Sequence, residues 1–482
     1  MTWEPVIGIE VHVELSTASK MFCGCKVDFA APPNTNVCPI CLGLPGAIPV
    51  TNRRAIEWIT TIGLALDCRV SPQSVFHRKN YFYADLPKNY QISQYDDPIC
   101  VDGHLDVDVE GETVRVGIER AHMEEDTGKS THKSVGGRIH AATATQLDFN
   151  RSGVPLVEIV SRPDMRSAAA ARAYAQELRQ LVAELGVSDA RMEEGSIRFD
   201  ANVSIRRQDA AELGTKVEIK NMNSFRSLEQ AVDHEIGRQI ESVERGEELI
   251  QETRHWDEEA GVTRGMRTKE GSSDYRYFTE PDLVPLVLDE VWVEQIRRGL
   301  PELPSRRRSR YRELGLEPQA ASILAAAPPA HRELFDQAVA AGAAPPAAAN
   351  WVTGEVTAWG RRHELELDAV PMTGSDLAEL IALVAEATVS ASAAKDVLDG
   401  VLLGEGPPRH VAEARNLTQI SDEGELAAKV AEVLATNPDA VARYRAGEAK
   451  VIGFLVGQVM KTTGGKADPG KVNELLRAAL SG

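Results

Sequence analysis

Basic residues are scarce in this 482-residue chain: 53 Lys and Arg stand against 72 Asp and Glu, a formal net charge of −19. Diffuse attraction to nucleic acid is thereby disfavoured, because phosphate contacts need positive charge, and any such role must use a local patch. No apolar run approaches the ~20 residues of a membrane-spanning helix. The opening MTWEPVIGIE has no basic region followed by a hydrophobic core, so a cytoplasmic protein without membrane association is expected. Cysteine is also sparse, at six residues. What is abundant is ordinary: 43% hydrophobic and 26% charged residues belong to a folded chain, and this length accommodates roughly two to four domains.

Four of the six cysteines fall in one window, Cys23-Gly24-Cys25 and Cys38-Pro39-Ile40-Cys41. Two close pairs separated by a loop let four thiolates surround one tetrahedral zinc ion, a closed and therefore structural site. The alternatives are two disulfides, disfavoured in a reducing compartment, and a redox pair at Cys38 and Cys41. Cys68 and Cys100 stand alone and read as core residues.

Near the start, Val6 to Leu15 alternates with period two. As a strand it places Ile7, Ile9, Val11, Val13 and Leu15 on one face and Glu10, His12 and Glu14 on the other. That polar ladder is either a solvated face or the floor of a site, depending on what the rest of the chain brings to it. Helical spacing follows over Thr51 to Leu66. Next, His77-Arg78-Lys79, Tyr81-Phe82-Tyr83 and Lys88-Asn89-Tyr90 combine cations with aromatic rings, either to grip an anionic ligand with a flat ring or to form a basic loop packed through its tyrosines. A meander with turns at Asp102-Gly103 and Glu110-Gly111 leads to His122-Met123-Glu124-Glu125-Asp126-Thr127-Gly128-Lys129-Ser130. Its ending resembles a phosphate-binding loop, but Met123 occupies the position of the first required glycine, so that motif is rejected. The acids either hold Mg²⁺ or form a solvated turn.

Glu158 lies inside the apolar strand Val154 to Val160 and needs a cation or donor there. Ser167 to Leu185 is an amphipathic helix, and Ser224 caps another whose stripe is Leu228, Val232, Ile236, Ile240 and Val243. Between and after them run strands with polar faces, Arg198, Asp200 and Asn202 on one and Lys216, Glu218 and Lys220 on the next. Strands interleaved with two helices, without a βαβ rhythm, predict an α+β domain on a large antiparallel sheet ending near residue 295. An alanine-rich segment broken by Pro328-Pro329 and Pro345-Pro346 predicts short helices, and Arg306 to Arg312 is a basic run suited to phosphate or to a solvated helix face. From 441 to 482, seven Lys/Arg oppose three Asp/Glu, a local charge of +4. Arg443, Arg445, Lys450, Lys461, Lys466 and Lys471 there suit an RNA backbone, which cations hold without reading sequence.

The stretches IGIEVHVEL, HRKNYFYADLPKNYQIS, HMEEDTGKSTH, DFNRSGVPLVEIVS, MEEGSIRFDANVSIR, GTKVEIKNMNSF, RTKEGSSDYRYF and GFLVGQVMKTTGGKADP occur in this order along almost the whole chain. Together they resemble the B subunits of glutamine-dependent aspartyl/glutamyl-tRNA amidotransferases. Ala84 and Thr279 depart from that pattern, where the family is expected to have proline. The resemblance implies a cradle-shaped catalytic domain (1–295), similar in fold to glutamine synthetase and guanidino kinases, an all-α helical domain (296–408) and a small helical tail (409–482) that binds tRNA. It implies an ATP-dependent ligase that phosphorylates the side-chain carboxylate of Glu-tRNA(Gln) or Asp-tRNA(Asn) and amidates it. No glutaminase nucleophile with a base is legible, so ammonia is expected from an amidase A subunit in a heterotrimer with a small C subunit.

On that reading Mg²⁺ is assigned to Glu10, His12, Glu124, Glu125 and Glu158, with His12 also reachable through water, and Glu10, His12, Glu125 and Glu158 form the catalytic group. ATP phosphates fall to Lys79 and Lys88, and Zn²⁺ to Cys23, Cys25, Cys38 and Cys41. Glu14 is left as surface. The rival readings are a stand-alone ATP-dependent ligase or kinase for a small molecule and a non-catalytic tRNA scaffold.

Overall fold

The computed structural model describes residues 3–28, 30–133, 143–208, 210, 212–268, 275–365, 367–419, 423–464 and 466–481. Residues 269–274 of the RTKEGSSDYRYF stretch lie outside them. The chain divides into two compact units, 1–306 and 307–482.

The first unit is a mixed α and β structure. Its strands are β1 (Trp3–Glu14), β2 (Arg69–Val70), β3 (Gln73–Ser74), β4 (His77–Asn80), β5 (Tyr90–Ser93), β6 (Cys100–Val109), β7 (Glu112–Glu125), β8 (Lys129–Lys133), β9 (Ala144–Asp148), β10 (Pro155–Ser161), β11 (Ile197–Arg207), β12 (Val217–Lys220), β13 (Glu252–Asp257), β14 (Val262–Thr268), β15 (Phe278–Thr279) and β16 (Leu286–Val287). Nine of them form one sheet in the order β14-β13-β12-β11-β1-β10-β7-β6-β2. Every pairing in it is antiparallel except β12 with β13. The opening strand β1 lies in the middle, because both its edges are hydrogen-bonded and its odd-numbered face is apolar: Ile7, Ile9, Val11 and Val13 are at most 1% exposed.

Helices cover that apolar face. They are α1 (Arg53–Ala65), α2 (Ala168–Glu184), α3 (Phe225–Glu244) and α4 (Glu290–Arg298). The predicted caps are in place: Ser167 accepts from the Ala170 N–H at 3.1 Å and Ser224 from the Ser227 N–H at 3.0 Å. Tyr174, Leu178 and Leu181 of α2 and Leu228 and Val232 of α3 join the β1 residues in one buried cluster. Gly63 of α1 is required by close approach, since a Cβ there would collide with the Cys100 sulfur. Cys68 and Cys100 are buried core residues, as expected.

The meander needs one correction. The chain does turn at Glu110-Gly111, both with positive φ (54° and 91°), but Asp102-Gly103 is no turn. β6 runs through it in one register against β7, with Asp102 alone at φ 56° and Gly103 packed where a Cβ would collide with the Cys68 sulfur. Local composition favours a turn there; tertiary contact overrides it.

The first unit extends past residue 295, because Leu300 and Leu303 pack on its core. In the second unit, Tyr311, Leu324, Phe335, Trp359, Leu380 and Leu398 belong to one hydrophobic cluster, and Leu426, Leu455, Val459 and Leu476 to another. The basic run at 306–312 is neither free cation nor solvated face throughout. Arg307 and Tyr311 are buried, and Arg310 forms a bidentate ion pair with Asp336 at 2.8 and 3.0 Å. Among the described residues no helix is long and apolar enough to cross a membrane.

Candidate active site

Strand register assembles the site. His12 of β1 pairs with Glu158 of β10, and Glu158 pairs with His122 of β7, so three polar side chains lie in one row on the polar face. Glu124, two residues along β7, shares that face because strand side chains alternate. His12 Nε2 lies 3.7 Å and His122 Nε2 3.3 Å from Glu158 Oε2, and His122 Nε2 is 3.7 Å from Glu124. Ligand atoms of His12, Glu124 and Glu158 come within 4.8 Å of one another. From the neighbouring β5, Gln91 donates to Glu124 Oε2 at 3.1 Å and Ser93 to Oε1 at 3.0 Å, which fixes that carboxylate's orientation.

Electrostatics keep these acids ionised. Burial opposes charge on Glu124, but Lys79, whose Nζ is 3.8 Å away, and His122 hold its carboxyl down to about 2. Burial likewise opposes charge on Glu158, and His122, His12 and Lys79 outweigh it. In return, His122 is pushed up to about 9: desolvation works against its protonation, and Glu158 and Glu124 prevail. The row is thus a pair of carboxylates neutralised by an imidazolium and a lysine.

Above it opens a cavity of about 420 Å³. Glu10, also on its lining, accepts a hydrogen bond from Asn202 Nδ2 at 2.9 Å. Lys216 and Lys220 reach the same cavity from β12 and the segment before it, and Lys220 is paired with Asp200 at 2.7 Å. Of the residues expected to meet here, Glu10, His12, Lys79, Glu124 and Glu158 do so.

Glu125 and Lys88 do not. Adjacent residues of a strand point to opposite faces, so Glu125 turns away from Glu124. It forms a close ion pair with Lys88 and accepts the Ile92 N–H at 3.0 Å. Both line a separate small cavity with Lys20, Cys23 and Cys41. His122 was missed by sequence reading, although the same alternation, applied to His122-Met123-Glu124-Glu125, already puts His122 with Glu124. Glu14, expected at the surface, is only 6% exposed. It faces Asp126 and Arg198, and burial followed by its hydrogen bond with Asp126 pushes its carboxyl up to about 9. Asp126 stays ionised: desolvation is outweighed by Arg198 and Arg151, at 3.1 and 3.7 Å.

The four cysteines of the early window converge, with their sulfur atoms within 4.8 Å of one another. The Cys38 N–H donates to Cys41 Sγ at 3.1 Å. Hydrogen bonding from Cys23 leads the effects that bring the Cys41 thiol down to about 5, against burial. Four sulfurs at this spacing are a donor set that suits zinc, and two carboxylates with an imidazole suit a divalent cation. The candidate tail cations lie in and between the helices Pro438–Arg445, Val451–Thr462 and Pro469–Ser481. Arg443, Arg445, Lys450, Lys461 and Lys471 are exposed, Lys466 is half-buried, and Arg443 pairs with Glu448 at 2.7 Å.

Fold and site together define a mixed α/β protein with a cavity whose floor carries His12, Glu124 and Glu158 and whose lining includes Lys79, Lys216 and Lys220. Comparison with known proteins narrows the class. Residues 5–294 match the GatB/GatE catalytic domain and residues 333–480 the GatB domain. The chain is 49% identical to the B subunit of the aspartyl/glutamyl-tRNA(Asn/Gln) amidotransferase of Geobacter sulfurreducens over 100% of both chains. It is 50% identical to that of Geotalea daltonii, again over 100% of both, and 50% identical to that of Frankia casuarinae over 99% of this chain and 96% of the relative. The chain belongs to this family of amidotransferase B subunits, as its motifs led one to expect.

Proposed function

We propose that the chain is the kinase and transamidase subunit of a tRNA-dependent amidotransferase. The observation that carries this is the His12–Glu124–Glu158 group beneath a cavity walled by Lys79, in a chain collinear with amidotransferase B subunits. A free carboxylate is too poor an electrophile for ammonia. The substrate's side-chain oxygen therefore attacks the γ-phosphorus of ATP, ADP leaves, and ammonia then attacks the acyl carbon, loses a proton and expels phosphate. Such phosphoryl transfer depends on positioning and charge more than on covalent help from the protein.

His12, Glu124 and Glu158, with Glu10 beside them, would hold Mg²⁺, which when bound neutralises phosphate charge. Lys79 orients the phosphates from the wall, and His122 holds Glu124 and Glu158 ionised and in place. Lys88 and Glu125, paired with each other beside the cysteine cluster, serve a position next to the site. Zn²⁺ held by Cys23, Cys25, Cys38 and Cys41 would brace that loop. Ammonia comes from an amidase A subunit assembled with a small C subunit, and the tail cations Arg443, Arg445, Lys450, Lys461, Lys466 and Lys471 hold the RNA backbone.

The test is conversion of Glu-tRNA to Gln-tRNA, or Asp-tRNA to Asn-tRNA, by the chain co-assembled with A and C subunits, ATP and glutamine. Glu158→Gln is expected to lower turnover at least ~100-fold, in keeping with loss of a transition-state charge contact, with the cysteine cluster still metal-loaded. Full activity in Glu158→Gln would remove the assignment. Turnover of a small molecule without tRNA or partner chains would favour a stand-alone ligase instead.

A further inference from the structure

Part of the cavity wall is aromatic. Tyr275 and Tyr277 both line it and meet edge to face with ring centroids 6.1 Å apart, and Tyr277 stacks flat on Tyr95 at 4.3 Å. From Tyr275 the rings continue beyond the cavity lining, to Tyr81 at 6.1 Å and from Tyr81 to Tyr83 at 5.9 Å. Phe82, between them in sequence, is 73% exposed and Tyr83 53%. The track is fastened, since Asn80 Nδ2 of β4 donates to the carbonyl oxygens of Tyr275 and Arg276 at 3.2 and 2.8 Å. Cations accompany it: Lys79 Nζ stands 5.2 Å from the Tyr275 ring centre, and Arg276 is exposed on the same segment.

We infer that this aromatic track receives the single-stranded 3′ end of the aminoacyl-tRNA. The inference rests on the function proposed above. The amino acid to be modified is esterified to the last ribose, so when its carboxylate reaches the His12, Glu124 and Glu158 floor, the terminal bases must lie at the cavity mouth. Bases stack on aromatic faces whatever their sequence, and neighbouring cations meet the phosphates. The rings of Tyr275, Tyr81 and Tyr83 meet edge to face, at interplanar angles of 74° and 67°, so they offer differently turned faces to bases that are splayed apart rather than stacked on one another. A mononucleotide needs one flat partner, which Tyr95, Tyr275 and Tyr277 already offer inside the cavity. Tyr81, Phe82 and Tyr83 lie outside its lining and suit a longer ligand. In a chain of net charge −19, stacking also supplies attraction that overall charge does not.

The experiment uses the assembled, active complex with the double variant Phe82→Ala/Tyr83→Ala and the conservative variant Phe82→Tyr. The double variant is expected to raise KM for aminoacyl-tRNA about tenfold, within the range of losing base stacking. Its kcat and its KM for ATP stay within about twofold, and Phe82→Tyr behaves as the parent. Deacylated tRNA lacking its last nucleotides should bind the parent more weakly than intact tRNA, and the double variant should not distinguish the two. A raised KM for ATP with an unchanged KM for tRNA would reassign the track to adenine. No change in either constant would overturn the inference while leaving the proposed function standing, whereas an inactive parent complex would strike at that function itself.

Discussion

Glu14 and Asp126 illustrate how two acids with the same burial take opposite states. Both are 6% exposed and both meet Arg198, Glu14 at 3.5 Å and Asp126 at 3.1 Å, but Arg151 adds a second guanidinium 3.7 Å from Asp126, so one proton settles on Glu14 and the charge on Asp126. Substitution by the isosteric amide should therefore separate them. Glu14→Gln replaces a protonated acid by a neutral donor of the same shape, and should change unfolding free energy by less than about 1 kcal/mol. Asp126→Asn takes from Arg198 and Arg151 the ionised member of the acid pair and should cost about 3 kcal/mol, the low end for a broken buried pair because Arg198 is partly exposed and Glu14 remains 3.5 Å from it. Urea unfolding of the two variants measures this, and a larger loss in Glu14→Gln would refute the assignment. Single residues of the site were legible to unequal degrees for a related reason. His12 and Glu158 stand out as polar groups in apolar strands, whereas Glu124 and Glu125 are chemically identical and only the strand's alternation separates them.

At the scale of elements, β1 and the helices beneath the sheet were readable because period-two and helical patterns have local causes, and Ser167 and Ser224 mark helix starts by satisfying free N–H groups. Close packing between elements was not. In an exposed helix, Gly63→Ala would be favourable by about 1 kcal/mol on propensity. Here the new methyl collides with the Cys100 sulfur, and overpacking costs typically about 1–3 kcal/mol. Gly63→Ala is thus expected to lower the melting temperature, and Gly63→Ala/Cys100→Ala to recover much of the loss, because the smaller residue frees the space. Additive destabilisation in the double variant would show that α1 and β6 do not meet as described.

For the whole molecule, all six cysteines belong to the first unit, so thiol chemistry reports on that unit alone. Burial pushes Cys68 up to about 12 and Cys100 well above the ordinary thiol range, which leaves almost no reactive thiolate at about pH 8. In the zinc-loaded protein none of the six should be alkylated quickly, after chelation Cys41, with its lowered thiol, should react ahead of Cys23 and Cys25, whose thiols hydrogen bonding and burial push up, and in denaturant all six should react. Mass spectrometry of the labelled chain counts them, and rapid labelling of Cys68 or Cys100 before denaturation would contradict the fold. By itself the sequence determined the apolar stripes, the helix caps, the cysteine spacing and the family, because each depends on residues near one another in the chain or on their order along it. Only the tertiary structure decided which polar groups share a site. Register across β1, β10 and β7 joins His12 to Glu158 and His122, and strand alternation sends Glu125 to Lys88 and away from the floor. Contact between strands far apart in the chain determines both the surroundings and the charge of a buried side chain, and no local pattern encodes that distance.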